Sequence, residues 1–175
     1  MKNKSATYEN IIKPIIVLTV ICLVVSGLLA VTHSVTQPII DASIQRAADA
    51  SRIALLPEAD SFEKVEYTDD VITEVWKAKN GTGFVLTGSS KGYGGQVPVT
   101  VGIDASGTIT GISIGENSES AGIGKKVEET SFTDQFKGKT SADGVDAISG
   151  ASFSSKAVFA VVNAAAAAYQ TVKGA

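Results

Sequence analysis

Residues 97–115 read VPVTVGIDASGTITGISIG, and this stretch predicts the fold of the region around it. In both halves Val or Ile alternates with Thr, Gly or Ser, which is typical of strands that bury one face. Between the halves, residues 105–107 supply a short turn that contains a glycine. The stretch therefore predicts an antiparallel hairpin with strands at 97–104 and 108–115.

Shorter β-like segments precede the hairpin, and a long helical segment follows it. The segments at 65–68, 73–79 and 83–88 are rich in β-branched and aromatic residues and are separated by Asp-Asp and Asn-Gly. Residues 154–173 place Ala, Val and Tyr along one side of a helix. We expect an α+β domain over 61–175 in which helices cover a curved antiparallel sheet.

An uncharged apolar run lies near the N-terminus. Residues 15–32 read IIVLTVICLVVSGLLAVT, and at about 1.5 Å of rise per residue their helix approaches the thickness of a bilayer core. They predict a single transmembrane helix over 15–35. A cleaved signal peptide is the alternative, although Leu28-Leu29-Ala30 matches a small-x-small cleavage site poorly.

Basic residues are distributed unevenly around this run. Lys2, Lys4 and Lys13 precede it, and the next basic residue after it is Arg46. By the positive-inside rule, residues 1–14 are cytoplasmic and the remainder of the chain is exported across the cell membrane.

Two prolines delimit the segment that joins the anchor to the domain. Pro38 suits the first turn of a new helix, and Pro57 ends the helical spacing of the apolar residues between them. We therefore expect a separate stalk helix within 36–60.

Composition excludes several classes of function. The formal charge is −3 without a basic block, which argues against nucleic-acid binding. Cys22 is the single cysteine and His33 the single histidine, so an intrachain disulfide and the usual zinc and iron–sulfur sites are excluded, and we predict no metal ligands. Redox chemistry in this chain would need an organic cofactor or a partner's metals.

Residues 146–158 read DAISGASFSSKAV, with four serines directly before the helical run. One interpretation is a turn followed by a helix N-cap, because Gly and Ser favour those positions. The other is a serine that carries a phosphate-linked group, because a helix N-terminus has free N–H groups and a positive dipole end. The small residues Gly150 and Ala151 would let such a group approach the backbone closely.

Catalytic templates fail in this chain, and we predict no catalytic residue. The segment 150–154 departs from a nucleophile elbow at its last position, where Ser replaces Gly. The segment 119–126 departs from a phosphate-binding loop at both ends, where Glu119 and Lys126 stand.

The motif Asp146-x-x-Ser149-Gly150-Ala151-Ser152 resembles the flavin-attachment motif of an FMN-binding family. This family comprises the G subunit of the Rnf electron-transport complex and the C subunit of the sodium-pumping NADH:quinone oxidoreductase. The similarity covers nearly the whole chain and includes Gly-Tyr-Gly-Gly at 92–95 and the loop at 119–124. Ser152 stands where Thr is commoner, and Ser120-Ala121 replaces Thr-Pro.

The resemblance implies FMN joined through its phosphate to the hydroxyl of Ser152. The other predicted site residues around the phosphate are Asp146, Ser149, Gly150, Ala151, Ser154 and Ser155, of which Ser154 and Ser155 are equally well explained as residues of the helix start. Near the flavin ring we expect Glu119, Gly122 and Gly124, because a glycine-rich loop permits close backbone approach to a flat ligand. A solvated connecting loop is the alternative for these three residues.

The function that the resemblance implies is electron relay inside the Rnf complex, which couples ferredoxin:NAD⁺ oxidoreduction to Na⁺ or H⁺ transport. The implied partners are the other proteins of the Rnf complex and a flavin transferase that uses FAD and magnesium. Two alternatives stay open, namely an anchored extracytoplasmic FMN reductase with another partner and an exported binding module without cofactor.

Overall fold

The computed structural model describes residues 13–67 and 69–174, and the fold is α+β, as predicted. Its strands are β1 Phe62–Val65, β2 Ile72–Ala78, β3 Gly83–Lys91, β4 Gln96–Asp104 and β5 Ile109–Ile114. Its α-helices are α1 Lys13–Leu55, α2 Thr130–Thr133 and α3 Ser152–Val172, and 3₁₀ turns form at Gly124–Glu128 and Asp134–Phe136. The chain divides into two compact units, Met1–Ala48 and Asp49–Ala175.

The first unit contains a helix that is long and apolar enough to cross a membrane. Its apolar span is Ile15–Ser34, and each side chain from 15 to 30 is exposed. Exposed Leu, Ile and Val in such a run suit a lipid environment. The predicted cytoplasmic segment lies almost wholly outside the described residues.

Helix α1 continues through Pro38, so the predicted start of a new helix at this proline is wrong. A proline inside a helix removes one backbone hydrogen bond and can be accommodated without a break. The helix ends at Leu55, ahead of Pro57 as predicted. The side chains of 38–49 lie outside the described residues, and the stalk at 36–60 stays a prediction.

The strands of the second unit form one antiparallel meander in the order β1-β2-β3-β4-β5. The predicted hairpin is confirmed as β4 and β5, with Gly102 opposite Gly111. Strand β1 lies ahead of the predicted 65–68, because the chain turns earlier than expected. Asp69 accepts hydrogen bonds from the N–H groups of Val71 and Ile72, which forms a side-chain-stabilised turn before β2. Thr68 lies outside the described residues.

The central strand β3 is buried on both faces, and its alternation separates two parts of the core. Phe84 and Leu86 belong to the larger cluster, which the apolar side of α3 completes. Val85 points to the opposite face and packs with Leu55 and Leu56. A helix therefore covers one face of the sheet, while the end of α1 covers part of the other.

The glycine pair at the centre of the hairpin explains how the end of α1 approaches the sheet. A Cβ at Gly102 would lie 2.9 Å from the carbonyl oxygen of Leu55, and a Cβ at Gly111 would lie 3.2 Å from a methyl of the same leucine. The hydroxyl of Thr110 donates to the Leu55 carbonyl at 2.5 Å. These glycines make the flat surface against which Leu55 packs.

The irregular segment after β5 folds back along the edge of the sheet and positions the site. Ile109 donates its N–H to the Lys139 carbonyl, and the Gly138 N–H donates to the Ile109 carbonyl. Phe132 and Phe136, which belong to this segment, are buried in the core with ring centroids 5.4 Å apart in an edge-on arrangement. The loop at 118–124 is thereby placed beside the start of α3.

Candidate functional site

Three segments of the second unit enclose a cleft of about 220 Å³ at the N-terminal end of α3. They are the loop at 92–95 between β3 and β4, the loop at 118–124 after β5, and residues 150–154. The residues that line the cleft are Tyr93, Ser120, Ile123, Gly124, Gly150, Ala151, Phe153 and Ser154.

Ser152 is the first residue of α3 and is exposed. It does not itself line the cleft but lies between the lining residues Ala151 and Phe153. The chain enters this position through Gly150, whose φ of 82° lies in the left-handed region that favours glycine. The serine hydroxyl is therefore accessible to solvent beside the N–H groups of the first helical turn.

Ala151 occupies the N-cap position, so the interpretation of the serines as N-caps is wrong. The first intrahelical hydrogen bond runs from the Ser155 N–H to the Ala151 carbonyl at 2.9 Å. Alanine has no side-chain acceptor for a helix N-terminus. The N–H groups in the first turn of α3, ahead of that of Ser155, therefore stay available to an anion.

Ser154 and Ser155 point into the protein, and both are buried. The Ser155 hydroxyl accepts a hydrogen bond from the Ile148 N–H and donates one to the Ala151 carbonyl. The Ser154 hydroxyl donates to the carboxylate of Glu119 at 2.5 Å. Because each hydroxyl has a single hydrogen, neither serine donates to a phosphate in this arrangement.

Glu119 is buried at 4% exposure, behind the wall of the cleft. One carboxylate oxygen accepts the Gly94 N–H at 2.9 Å, and the other accepts the Ser154 hydroxyl. Of the two glycines predicted beside it, Gly124 is buried and lines the cleft, whereas Gly122 is exposed with a φ of 80° and lies outside the lining.

Asp146 and Ser149 lie outside the lining of the cleft, and Asp146 is exposed. The backbone N–H of Asp146 donates to the side-chain oxygen of Gln135 at 3.0 Å, which fixes the approach to the helix. The carboxylate of Asp146 is thereby left on the surface, where another protein can reach it.

Three large apolar side chains around the cleft are exposed, namely Tyr93 at 76%, Phe153 at 65% and Ile123 at 52%. None of the three was predicted as a site residue, although Tyr93 and Ile123 belong to segments that carry the family resemblance. A phenylalanine inside a run of Ser, Gly and Ala was the available signal for Phe153. Exposed apolar side chains grouped around a cleft are typical of a site for a flat apolar ligand.

The arrangement fits a phosphate-linked aromatic group. An exposed hydroxyl stands at a helix N-terminus without a side-chain cap, and exposed aromatic side chains flank the adjoining cleft. It does not fit serine catalysis, because His33 is the single histidine of the sequence and belongs to the other compact unit.

Comparisons with known proteins agree with this geometry. Residues 92–167 match the family described as the FMN-binding domain, and residues 1–51 match the RnfG N-terminal region.

Relatives match over most of their length. The chain is 34% identical to the G subunit of the Na⁺-translocating ferredoxin:NAD⁺ oxidoreductase complex of Acetobacterium woodii, with 90% of each chain covered. It is 33% identical to the G subunit of the ion-translocating oxidoreductase complex of Methanosarcina acetivorans, with 90% of this chain and 93% of the relative covered. It is 29% identical to the G subunit of the proton-translocating ferredoxin:NAD⁺ oxidoreductase complex of Clostridium ljungdahlii, with 81% and 82% covered.

Among solved structures, the C subunit of the Na⁺-translocating NADH-quinone reductase from Parabacteroides distasonis is similar in fold. The TM-score is 0.50 at 22% identity, with 65% of this chain and 73% of that chain covered.

Proposed function

Because the chain belongs to the family of Rnf complex G subunits, we propose that it is a membrane-anchored flavoprotein that relays electrons through FMN within that complex. The relatives belong to ferredoxin:NAD⁺ oxidoreductase complexes named for Na⁺ or proton translocation. The observation that carries the proposal is the cleft at the start of α3, which lies inside the region matched to the FMN-binding domain. The chain then acts together with the other Rnf proteins and turns over no substrate of its own.

Ser152 is the proposed attachment point, through a phosphoester on its hydroxyl. The N–H groups of the first turn of α3 would hold the anionic oxygens, beside the small residues Gly150 and Ala151. Tyr93 and Phe153 would flank the flavin ring as apolar walls of the cleft. FMN, when bound, supplies the redox chemistry, and the protein holds it and tunes its potential.

A flavin transferase is the proposed route of attachment, because an unassisted serine is a weak nucleophile. The transfer forms a bond between the Ser152 oxygen and the phosphorus of the FMN half of FAD. It would break the pyrophosphate bond of FAD, so that AMP leaves and the serine proton is released to solvent, and the transferase would supply the magnesium. Asp146, which is exposed six residues before Ser152, would present the serine to this enzyme.

The proposed location is the cell membrane, with the FMN domain on the extracytoplasmic side. The apolar span Ile15–Ser34 is the anchor, crossing once. The lysines ahead of it keep the N-terminus in the cytoplasm.

The test is the covalent flavin itself. The full chain, produced together with the transferase, should give a fluorescent band after denaturing electrophoresis, and peptide mass spectrometry should place FMN on Ser152. Ser152→Ala should give a folded, colourless protein, whereas Ser152→Thr should keep the flavin because the hydroxyl is retained.

Three other outcomes would each favour a different interpretation. FMN on Ser149, Ser154 or Ser155 would overturn the attachment site. A wild-type chain without flavin would favour the exported binding module. Turnover of a soluble electron donor by the isolated flavoprotein would favour the anchored FMN reductase.

A further inference from the structure

The buried carboxylate of Glu119 links the two walls of the cleft. Its two oxygens accept hydrogen bonds from the Gly94 N–H at 2.9 Å and from the Ser154 hydroxyl at 2.5 Å. Gly94 belongs to the loop at 92–95, while Ser154 belongs to α3. Two elements that are 60 positions apart in the sequence are therefore joined through one side chain.

The carboxylate relies on these neutral donors for its solvation. The ion pairs found in the described part of the chain do not include Glu119, although it is only 4% exposed. Burying an acidic group is costly unless hydrogen bonds replace its water. Hydrogen bonds to a carboxylate are stronger than those between neutral groups, so these two contacts hold both walls firmly.

Glycines surround Glu119 because larger residues would displace it. A Cβ at Gly92 would collide with one carboxylate oxygen, and a Cβ at Gly124 would lie 2.8 Å from the other. A Cβ at Gly94 would collide with the carbonyl oxygen of Ser118. The glycines of both loops thus leave space for the Glu119 side chain and the neighbouring backbone. This packing explains the glycines without direct contact between them and a flat ligand.

The exposed aromatic residues of the cleft stand next to the two donors. Tyr93 lies between Gly92 and Gly94, and Phe153 immediately precedes Ser154. Because Glu119 holds the backbone of one loop and a side chain of the other wall, it sets the separation between these aromatic side chains. In this way a buried carboxylate can control the width of the cleft and thus the ligand that fits between the two aromatic side chains.

We propose that Glu119 is a positioning residue for the flavin, which acts through Gly94 and Ser154 to hold Tyr93 and Phe153 at a fixed separation. The inference rests on the proposed FMN at Ser152. It assigns to Glu119 a role in immobilising the ring, distinct from attachment of the phosphate.

The test compares Glu119→Ala, Glu119→Gln and Ser154→Ala in the full chain in detergent, with Glu128→Gln as the matched control. Glu128 is an exposed carboxylate in the adjoining 3₁₀ turn that contacts Asn117 and Lys125. In the flavin-free chain, amide exchange at 92–95 should become about tenfold faster in Glu119→Ala, because the Gly94 N–H loses its acceptor. Glu128→Gln should exchange like the wild type.

The flavin-loaded proteins supply the second readout. Glu119→Ala should still carry FMN on Ser152 but with a weaker visible circular dichroism band, lower fluorescence anisotropy and a shifted reduction potential. Ser154→Ala, which removes one of the two contacts with little change in volume, should change these properties in the same direction by less. Glu119→Gln should restore most of the wild-type signal, because it keeps an acceptor for Gly94.

The outcomes separate this inference from the proposed function. A wild-type chain that takes up no FMN contradicts the proposed function, while the exchange experiment still decides the role of Glu119. Should Glu119→Ala fail to fold, Ser154→Ala, which removes the contact with α3 and leaves the acceptor of Gly94 in place, carries the flavin measurements. Wild-type exchange at 92–95 together with an unchanged flavin spectrum and potential in the folded variants would overturn the inference.

Discussion

Gly150 shows how a single backbone conformation controls the position of Ser152. Its φ of 82° lies where L-residues with a side chain are strained, and a Cβ there would meet the Ile123 methyl at an ordinary 3.6 Å. Strain, and not a clash, is therefore the cost of a substitution at this position.

We expect Gly150→Ala to lower the free energy of unfolding by about 1 kcal/mol and to reduce FMN attachment, because the helix start shifts to relieve the strain. Gly150→Asn is the matched variant, since asparagine tolerates the left-handed region better. Thermal unfolding and in-gel flavin fluorescence measure the two effects. Equal stability of Gly150→Ala and the wild type would contradict the argument.

The four serines between 149 and 155 show what residue-level prediction can and cannot decide. Their small neighbours and the following apolar run were sufficient to predict a turn that leads into a helix, whereas anion binding at its N-terminus stays a prediction. Which hydroxyls are buried depends on where the helix begins, and α3 begins at Ser152 with Ala151 as N-cap. A shift of one residue would turn each side chain by about 100° and exchange exposed for buried serines.

At the scale of elements, the turn between β4 and β5 is held by Asp104 and docked on α3. One oxygen of Asp104 accepts the N–H groups of Ser106 and Thr108, and the Tyr169 hydroxyl donates to the Ala105 carbonyl at 2.8 Å. Partial burial opposes ionisation of Asp104, but these hydrogen bonds and that from the Ser106 hydroxyl outweigh it, and its pKa is lowered.

A lowered pKa makes the contribution of this turn pH-dependent. The stabilisation is fully present above the ordinary carboxyl pKa of about 4 and is lost as the pH falls through the lowered pKa of the folded state. We expect Asp104→Asn to unfold at a lower temperature than the wild type at pH 7, with the difference narrowing below about pH 4. Asp60→Asn, at an exposed position, is the control. A constant difference between Asp104→Asn and the wild type across this pH range would contradict the role of ionised Asp104.

The end of α1 is fastened to β2 through a buried arginine. The Arg52 guanidinium lies 3.9 Å from the centroid of the Trp76 ring and 3.5 Å from a carboxylate oxygen of Glu74, which also accepts the Trp76 indole N–H. Lys64 pairs with the other oxygen of Glu74 at 3.4 Å but is half exposed. The two cations share one carboxylate in different environments.

We expect Arg52→Ala to lower the free energy of unfolding by about 2 kcal/mol, because it removes a buried cation that stacks on the Trp76 ring of β2. Lys64→Ala removes the exposed partner of Glu74 and should cost less than about 1 kcal/mol. Denaturant unfolding at pH 7 measures both. If Lys64→Ala lowered the free energy of unfolding more than Arg52→Ala, the pair of Lys64 with Glu74 would be the stronger one, and the argument from the burial of Arg52 would be wrong.

The prediction of helices and strands succeeded where a regular local pattern defines the element. It failed at the boundaries of elements, which that pattern does not define. Alternation in β4 and β5 and the apolar side of α3 are local patterns, and all three elements form as predicted. Strand β1 ends at Val65, ahead of the turn that Asp69 forms before β2, and helical continuity at Pro38 overrides the preference of proline for a first turn. The contact between Glu119 and Ser154 joins residues 35 positions apart, which periodicity cannot indicate.

At the scale of the whole molecule, the chain has an apolar helix near its N-terminus and an FMN-binding domain after it. Its orientation in the membrane therefore determines on which side the FMN-binding domain lies. The charge distribution predicts the orientation, because three lysines precede the apolar run and the next basic residue follows only at position 46. Translocating the lysine-rich flank is less favourable than translocating the flank without nearby basic residues.

We therefore expect residues 1–14 to face the cytoplasm and residues 36–175 to lie outside it, as the arrangement of charges around Ile15–Ser34 predicts. Protease added to intact spheroplasts should digest the domain, and the same protease added to inverted vesicles should leave it protected. A variant with Lys2, Lys4 and Lys13 changed to Gln and with Thr36→Lys and Gln37→Lys should lose this preference, since the charge bias is reversed. Protection of the wild-type domain in spheroplasts would refute the orientation, whereas loss of an N-terminal tag from the mature chain would identify the apolar run as a cleaved signal.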